Sequence, residues 1–137
     1  EHAFASPRAW AKCARFMPLS DAQRHRLVKG TVGGAVAGEF EGFVRMWRDL
    51  PSLDSILRDP SGAPVFDTLN VNFALATGLA RKVDRTNFAA AIAYAGRAWA
   101  SNREFARMMI TDATRRESAL CETRAYIDWQ AANQDQA

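Results

Sequence analysis

Arg8, Lys12 and Arg15 recur at i, i+4 and i+7 near the start of the chain. Cationic groups at that spacing share one side of an α-helix and present a charged surface to an anion. Ser6-Pro7 stands just before them, an N-cap followed by a residue whose missing N–H costs nothing in the first helical turn. A guanidinium in that turn opposes the helix dipole by about a few tenths of a kcal/mol. A docked anion would restore the balance. The competing reading is that Arg8 extends into solvent or pairs with an acid.

Other chemistry-bearing residues read as structural. Gly30-Thr31-Val32-Gly33-Gly34 has the look of a phosphate cradle, yet no Lys-Ser/Thr pair follows it and no strand precedes it. A helix break is the simpler expectation. Gly34, Gly38 and Gly42 recur every four residues and predict a flat strip that another helix approaches closely. His2 and His25 have no acidic or histidine partner at ligand spacing, and His25, between Arg24 and Arg26, is expected on a solvated face. Glu39 and Glu41 point in different directions on a helix, and Glu41 is placed for an i,i+4 pair with Arg45. No nucleophile stands beside a positioned base. Cys13 and Cys121 are expected to be small core residues. Trp10, Trp47, Trp99 and Trp129 are expected to anchor the core rather than to cage a ligand. No catalytic and no metal-binding residue is assigned.

The elements that must position these residues read as all-helical. Alanine is abundant, and β-branched residues never alternate over a strand-length run. The first helix opens at Ser6-Pro7, shows Trp10, Cys13, Ala14 and Met17 on its apolar face, and ends at Pro18. Ser20 and Gln23 predict a capping box for a second helix, to about Lys29. A helix over 35–49 places Val36, Phe40, Phe43, Val44, Trp47 and Leu50 on one side. A short helix near 53–58 runs into the turn-rich stretch Asp59-Pro60-Ser61-Gly62-Ala63-Pro64. Helix 68–83 carries Leu69, Phe73, Ala76, Leu79 and Val83 in register, and helix 86–99 carries Phe88, Ala91, Ile92, Ala95 and Trp99. Ser101-Asn102-Arg103-Glu104 reads as a capping box for a helix to about Arg116, with Phe105, Met108 and Met109 inward. A last helix near 122–132 shows Ala125, Tyr126 and Trp129, and the polar tail from Gln130 is expected to fray. The sum is an all-α, compact bundle of about six to eight helices with no sheet.

Size and charge agree with that class. The chain has 137 residues, 48% of them apolar and 24% charged, enough for a core without staples. No apolar run approaches the ~20 residues of a membrane span. Two cysteines are too few for a disulfide framework or a four-cysteine zinc site. The formal charge is +3. Residues 1–48 hold eight cations against four acids, whereas residues 49–84 hold five aspartates against three cations. That mild asymmetry is not the basic stripe that grips nucleic acid, so no nucleic-acid partner is expected.

Ala5-Ser6-Pro7-Arg8-Ala9 resembles the sensor-2 motif of MoxR-type AAA+ ATPases. Further blocks resemble the C-terminal region of a phage and bacterial branch of that family. They are Gly30-Thr31-Val32-Gly33, Ala37-Gly38-Glu39-Phe40 with Phe43, Asp49-Leu50-Pro51 and Ile56-Leu57-Arg58-Asp59-Pro60. Tyr94, Glu104-Phe105, Asp112-Ala113 with Arg115-Arg116, and Trp129 complete the set, so the likeness covers nearly the whole chain. It implies that residues 1–19 form the sensor-2 helix of a lid and 20–137 a C-terminal helical domain. It implies too that Arg8 reaches the phosphates of a bound nucleotide. The phosphate loop, magnesium-binding acid, sensor 1 and arginine finger of such ATPases do not occur in these residues. The chain would be the C-terminal piece of a larger cytoplasmic protein, not catalytic alone. ATP and Mg would be held by the parent, none by this piece. The implied partners are the upstream AAA+ core, neighbouring ring subunits and a von Willebrand A domain protein, with no membrane. The competing expectation is a stand-alone helical adaptor without nucleotide chemistry.

Overall fold

A computed structural model describes residues 3–134 of the chain. Among the described residues every regular element is helical: α1 (Pro7–Cys13), α2 (Asp21–Val32), α3 (Gly34–Arg48), α4 (Leu53–Arg58), α5 (Leu69–Lys82), α6 (Phe88–Ala98), α7 (Glu104–Arg116) and α8 (Arg124–Asn133). Short 3₁₀ turns occupy Ala14–Phe16 and Ser118–Glu122. The expected all-α architecture is what the chain adopts. None of these helices is long and apolar enough to cross a membrane. The chain divides into two compact units, Glu1–Leu50 and Pro51–Ala137. In packing, α1 shares a core with α2 and α3.

In the N-terminal unit, α1 and α3 both pack on α2. Cys13, Val28, Val32 and Ala37 form the buried centre, with Ala9, Trp10, Phe16 and Phe40 against it. The Trp10 and Phe40 rings meet with centroids 5.4 Å apart. Ser6 caps α1 as expected, its Oγ accepting from the Ala9 N–H at 3.2 Å. The first helix is shorter than expected, because α1 tightens into a 3₁₀ turn after Cys13. Three residues per turn replace 3.6 there, so Phe16 turns toward the core while Ala14 and Met17 stay exposed. Ser20 caps α2, accepting from the Gln23 N–H, and the Ser20 hydroxyl donates to the Gln23 side chain at 3.0 Å.

The glycine-rich break is narrower than expected. Gly30 lies inside α2, and only Gly33 leaves helical geometry, at φ 100°, a conformation that a side chain would strain. The strip of Gly34, Gly38 and Gly42 is not a helix-contact surface. All three are exposed, and nothing outside α3's own backbone lies within 4 Å of a Cβ built on Gly38 or Gly42. Close approach occurs instead at Gly78 of α5, where a Cβ would stand 2.9 Å from the Leu53 side chain of α4.

In the C-terminal unit, α5 packs on α7, and α6 touches α4, α7 and α8. Leu75 and Leu79 of α5, Phe88 and Ala91 of α6, and Met109 and Ile110 of α7 are almost fully buried, with Leu120 from the second 3₁₀ turn. Trp99 is buried as expected, with its Nε1–H donating to Asn72 Oδ1 at 3.0 Å. The loop after α4 is pinned from α6: Tyr94 Oη donates to the Pro64 carbonyl at 2.9 Å, and Arg97 donates to the carbonyls of Pro60 and Ala63.

Several expectations fail by burial rather than by helix type. Phe43 and Trp47 are 42% and 45% exposed, stacked on each other along α3. Leu69 and Phe73 are 66% and 56% exposed on α5. A helical stripe marks which residues share a side, and neighbouring elements cover only part of that side here. Cys121 is exposed, and Cys13 alone is a core thiol. The expected capping box at 101–104 does not form: α7 starts at Glu104 with Arg103 in the cap position and no side-chain cap. The last turn expected to fray from Gln130 continues as helix to Asn133; residues 135–137 lie outside the described part.

Candidate functional site

The Ser6 cap holds α1 so that Arg8, in its first turn, and Lys12, one turn later, both project to the surface. They line one groove of about 450 Å³, together with Phe4, Ser6, Gly30 and Thr31. α1 supplies one wall and the C-terminal end of α2 the other. The Ser6 oxygen is engaged by Ala9, and the Thr31 hydroxyl donates to the Leu27 carbonyl at 2.8 Å. The charged groups free to meet a ligand are therefore the Arg8 guanidinium and the Lys12 ammonium. Among the described residues neither makes an ion pair or a hydrogen bond. Like charges at i, i+4 repel by a few tenths of a kcal/mol, and an anion between them would relieve that repulsion.

Arg15 does not join them. The 3₁₀ turn changes the phase of the chain after Cys13, and Arg15 is exposed away from the groove lining. The i+7 member of the expected stripe is lost for that reason.

A different arginine organises the unit. Arg24, fully buried, places Nε and Nη2 each 2.8 Å from the two carboxylate oxygens of Glu41, which is itself 4% exposed. Nη1 donates to the Leu19 carbonyl at 3.3 Å and Nη2 also to Asp21 at 2.8 Å. Asp21 in turn takes Arg48 at 2.6 Å. Hydrogen bonds from Arg24 and then Arg48 hold the Asp21 carboxyl below the usual aspartate range. The Glu41 carboxylate, foremost, raises the affinity of Arg24 for its proton. Glu41 was expected on the outer wheel pairing Arg45; it faces inward and pairs with Arg24. The signal was present in the spacing. Arg24, Val28 and Val32 recur every four residues on the buried side of α2, and Glu41 follows Ala37 and precedes Val44 on α3.

No three His, Cys, Asp or Glu side chains come together among the described residues. His25 is half-buried, and His2 lies outside the described part. Burial pushes the Cys13 thiol above its usual pKa, which suits a packing role rather than a nucleophilic one. Comparison with protein-family models, with curated proteins and with solved structures finds no match to this chain.

Proposed function

We propose that this chain is the C-terminal helical module of a MoxR-type AAA+ ATPase, in which Arg8 senses the phosphates of a nucleotide held by an upstream core. One observation supports this above the rest: Arg8 and Lys12 line an open groove, and among the described residues no carboxylate pairs with either. The sensor-2-like Ala5-Ser6-Pro7-Arg8-Ala9 is the segment whose cap positions them. On this reading the core binds ATP and Mg, and Arg8 contacts the terminal phosphate. A charge-assisted contact of about 1.5–3 kcal/mol biases a lid equilibrium about ten- to hundredfold. α1 is packed on α2, which carries α3, so a displacement at Arg8 is passed to the rest of the N-terminal unit. Remodelling of a partner, such as a von Willebrand A domain protein, is the output proposed for the cytoplasmic parent.

The test begins with the coding sequence upstream of Glu1. The proposal expects a strand, phosphate loop and helix there. In that full protein, Arg8→Ala should lower ATP turnover about tenfold or more with an unchanged helical spectrum. Turnover equal to the unaltered protein would remove Arg8 from the mechanism. A parent without any nucleotide core would favour the second reading, a helical adaptor. That reading draws support from the exposed Phe43–Trp47 stack and the exposed Leu69 and Phe73.

A further inference from the structure

We infer that the C-terminal unit carries a peptide-docking groove selective for an apolar side chain flanked by a lysine or arginine. The inference concerns this unit alone and is independent of the reading given to Arg8. The groove encloses about 560 Å³. Val65, Leu69 and Phe105 line its sides, and the buried Trp99 indole forms its floor. Val65 and Leu69 are both exposed, and Phe73, one turn beyond Leu69 on α5, extends the apolar strip past the groove. Single exposed apolar residues are ordinary. Here they share one concave rim, the form that recognises a side-chain anchor.

The charge of the groove selects the occupant. Asp67 is, among the described residues, the only charged one in its lining. Among the described residues the Asp67 carboxylate forms no ion pair and no hydrogen bond. It precedes the α5 cap residue Thr68 and is not used to cap the helix. The side chains of Ser101 and Asn102, freed because no capping box forms there, lie on the same rim. They can serve the backbone of an extended segment. A groove of mixed apolar and polar lining with one unpaired carboxylate attracts a positively charged partner and repels an acidic one. The occupant is therefore a segment of another protein with a leucine or phenylalanine anchor over Trp99. A basic residue one or two positions away reaches Asp67.

The test uses the whole chain, labelled with nitrogen-15, and two blocked pentapeptides. One has two leucines followed by an arginine; its twin carries glutamate in place of the arginine. The arginine peptide should move the Trp99 indole resonance and the Leu69 amide, and bind about two- to fivefold tighter than its twin, the weight of a half-exposed ion pair. Asp67→Asn should bring that ratio close to one without altering the fold, because Asp67 supports no contact. Leu69→Ser should weaken both peptides. Absence of any shift at Trp99, equal binding of the two peptides, or a preference that persists in Asp67→Asn would each overturn the inference.

Discussion

Both units bury polar side chains among their helices, and they satisfy them by different chemistry. The N-terminal unit sets a fully buried guanidinium against a buried carboxylate, Arg24 on Glu41, at the α2–α3 contact. The C-terminal unit uses neutral groups and carbonyls. Trp99 donates to Asn72, Asn72 donates to the Phe66 carbonyl at 2.9 Å, and Tyr94 donates to Pro64. Two of its arginines, Arg116 and Arg97, also end on backbone oxygens, whereas Arg85, Arg107 and Arg124 make exposed ion pairs with Glu122, Glu104 and Asp128. Arg116 donates to the carbonyls of Ala80 and Val83, where α5 ends and its last carbonyls lack helical partners. Arg97 does the same for the loop after α4 and lies over the Tyr94 ring at 5.7 Å. Apart from the Glu117 carboxylate 3.6 Å from Arg116, a guanidinium on carbonyl dipoles has no partner that titrates. A guanidinium on a carboxylate does, and each member strands the other if removed.

The sharpest test of this contrast is Arg24→Ala. It leaves Glu41 buried without a partner and should cost about 3–5 kcal/mol, a large part of the stability of a small domain. Alkylation of Cys13, buried in the same unit, should become fast, while amide exchange in α5 and α7 stays slow. The paired change Arg24→Met with Glu41→Leu should recover most of the loss. A mild effect of Arg24→Ala alone would mean that the pair does not hold α2 to α3.

Asn72→Ala is the matching cut in the C-terminal unit. It strands the Trp99 N–H and the Phe66 carbonyl and should cost about 1–3 kcal/mol, less because no charge is left behind. Urea unfolding followed by the Trp99 indole resonance of nitrogen-15-labelled protein measures it. A loss as large as that of Arg24→Ala would erase the distinction between ionic and neutral anchoring.

Acid supplies a graded version of the comparison. Asp21 is shared by Arg24 and Arg48 and titrates below the ordinary aspartate value of 3.8. A carboxyl lowered in the folded state contributes stability above its unfolded pKa, lost as pH falls through the folded value. Below about pH 4, on that sign, α2 and α3 should lose amide protection before α5 and α7 do. Asp84 is lowered as well, first by its hydrogen bond from the Thr86 hydroxyl. Its protonation should loosen only the turn before α6. Asp21→Asn should flatten the acid limb of the N-terminal unit and leave that of the C-terminal unit in place.

The smallest expected effect is Gly38→Ala. The site is exposed, helical and open, so alanine should stabilise α3 by about 0.5–1 kcal/mol. Thermal unfolding resolves the sign. Destabilisation would mean that the glycine strip does meet another helix.

The readings made from local spacing and those that depended on distant neighbours fared differently. Ser6 and Ser20 were legible as caps because the atoms concerned lie within three residues. The long helices were legible from their periodicity. The site on α1 was legible as far as Arg8 and Lys12, and failed at Arg15 where a 3₁₀ turn altered the repeat. Ser101 failed as a cap although its motif was complete, since the chain enters α7 two residues later than the motif requires. Phe43, Trp47, Leu69 and Phe73 were assigned inward by a wheel that carries no information about what stands opposite.

The order of residues alone determined that this chain would be helical, where most helices would begin, and that two cations one turn apart would follow a capped start. Those outcomes depend on backbone propensity and on hydrogen bonds spanning three or four positions. Tertiary structure decided that Glu41 faces inward to Arg24, 17 positions away, that Phe43, Trp47, Leu69 and Phe73 stay exposed, and that among the described residues Asp67 beside Leu69 has no ion-pair partner. Burial and charge pairing are properties of the space between elements, and that space exists only after the helices have packed.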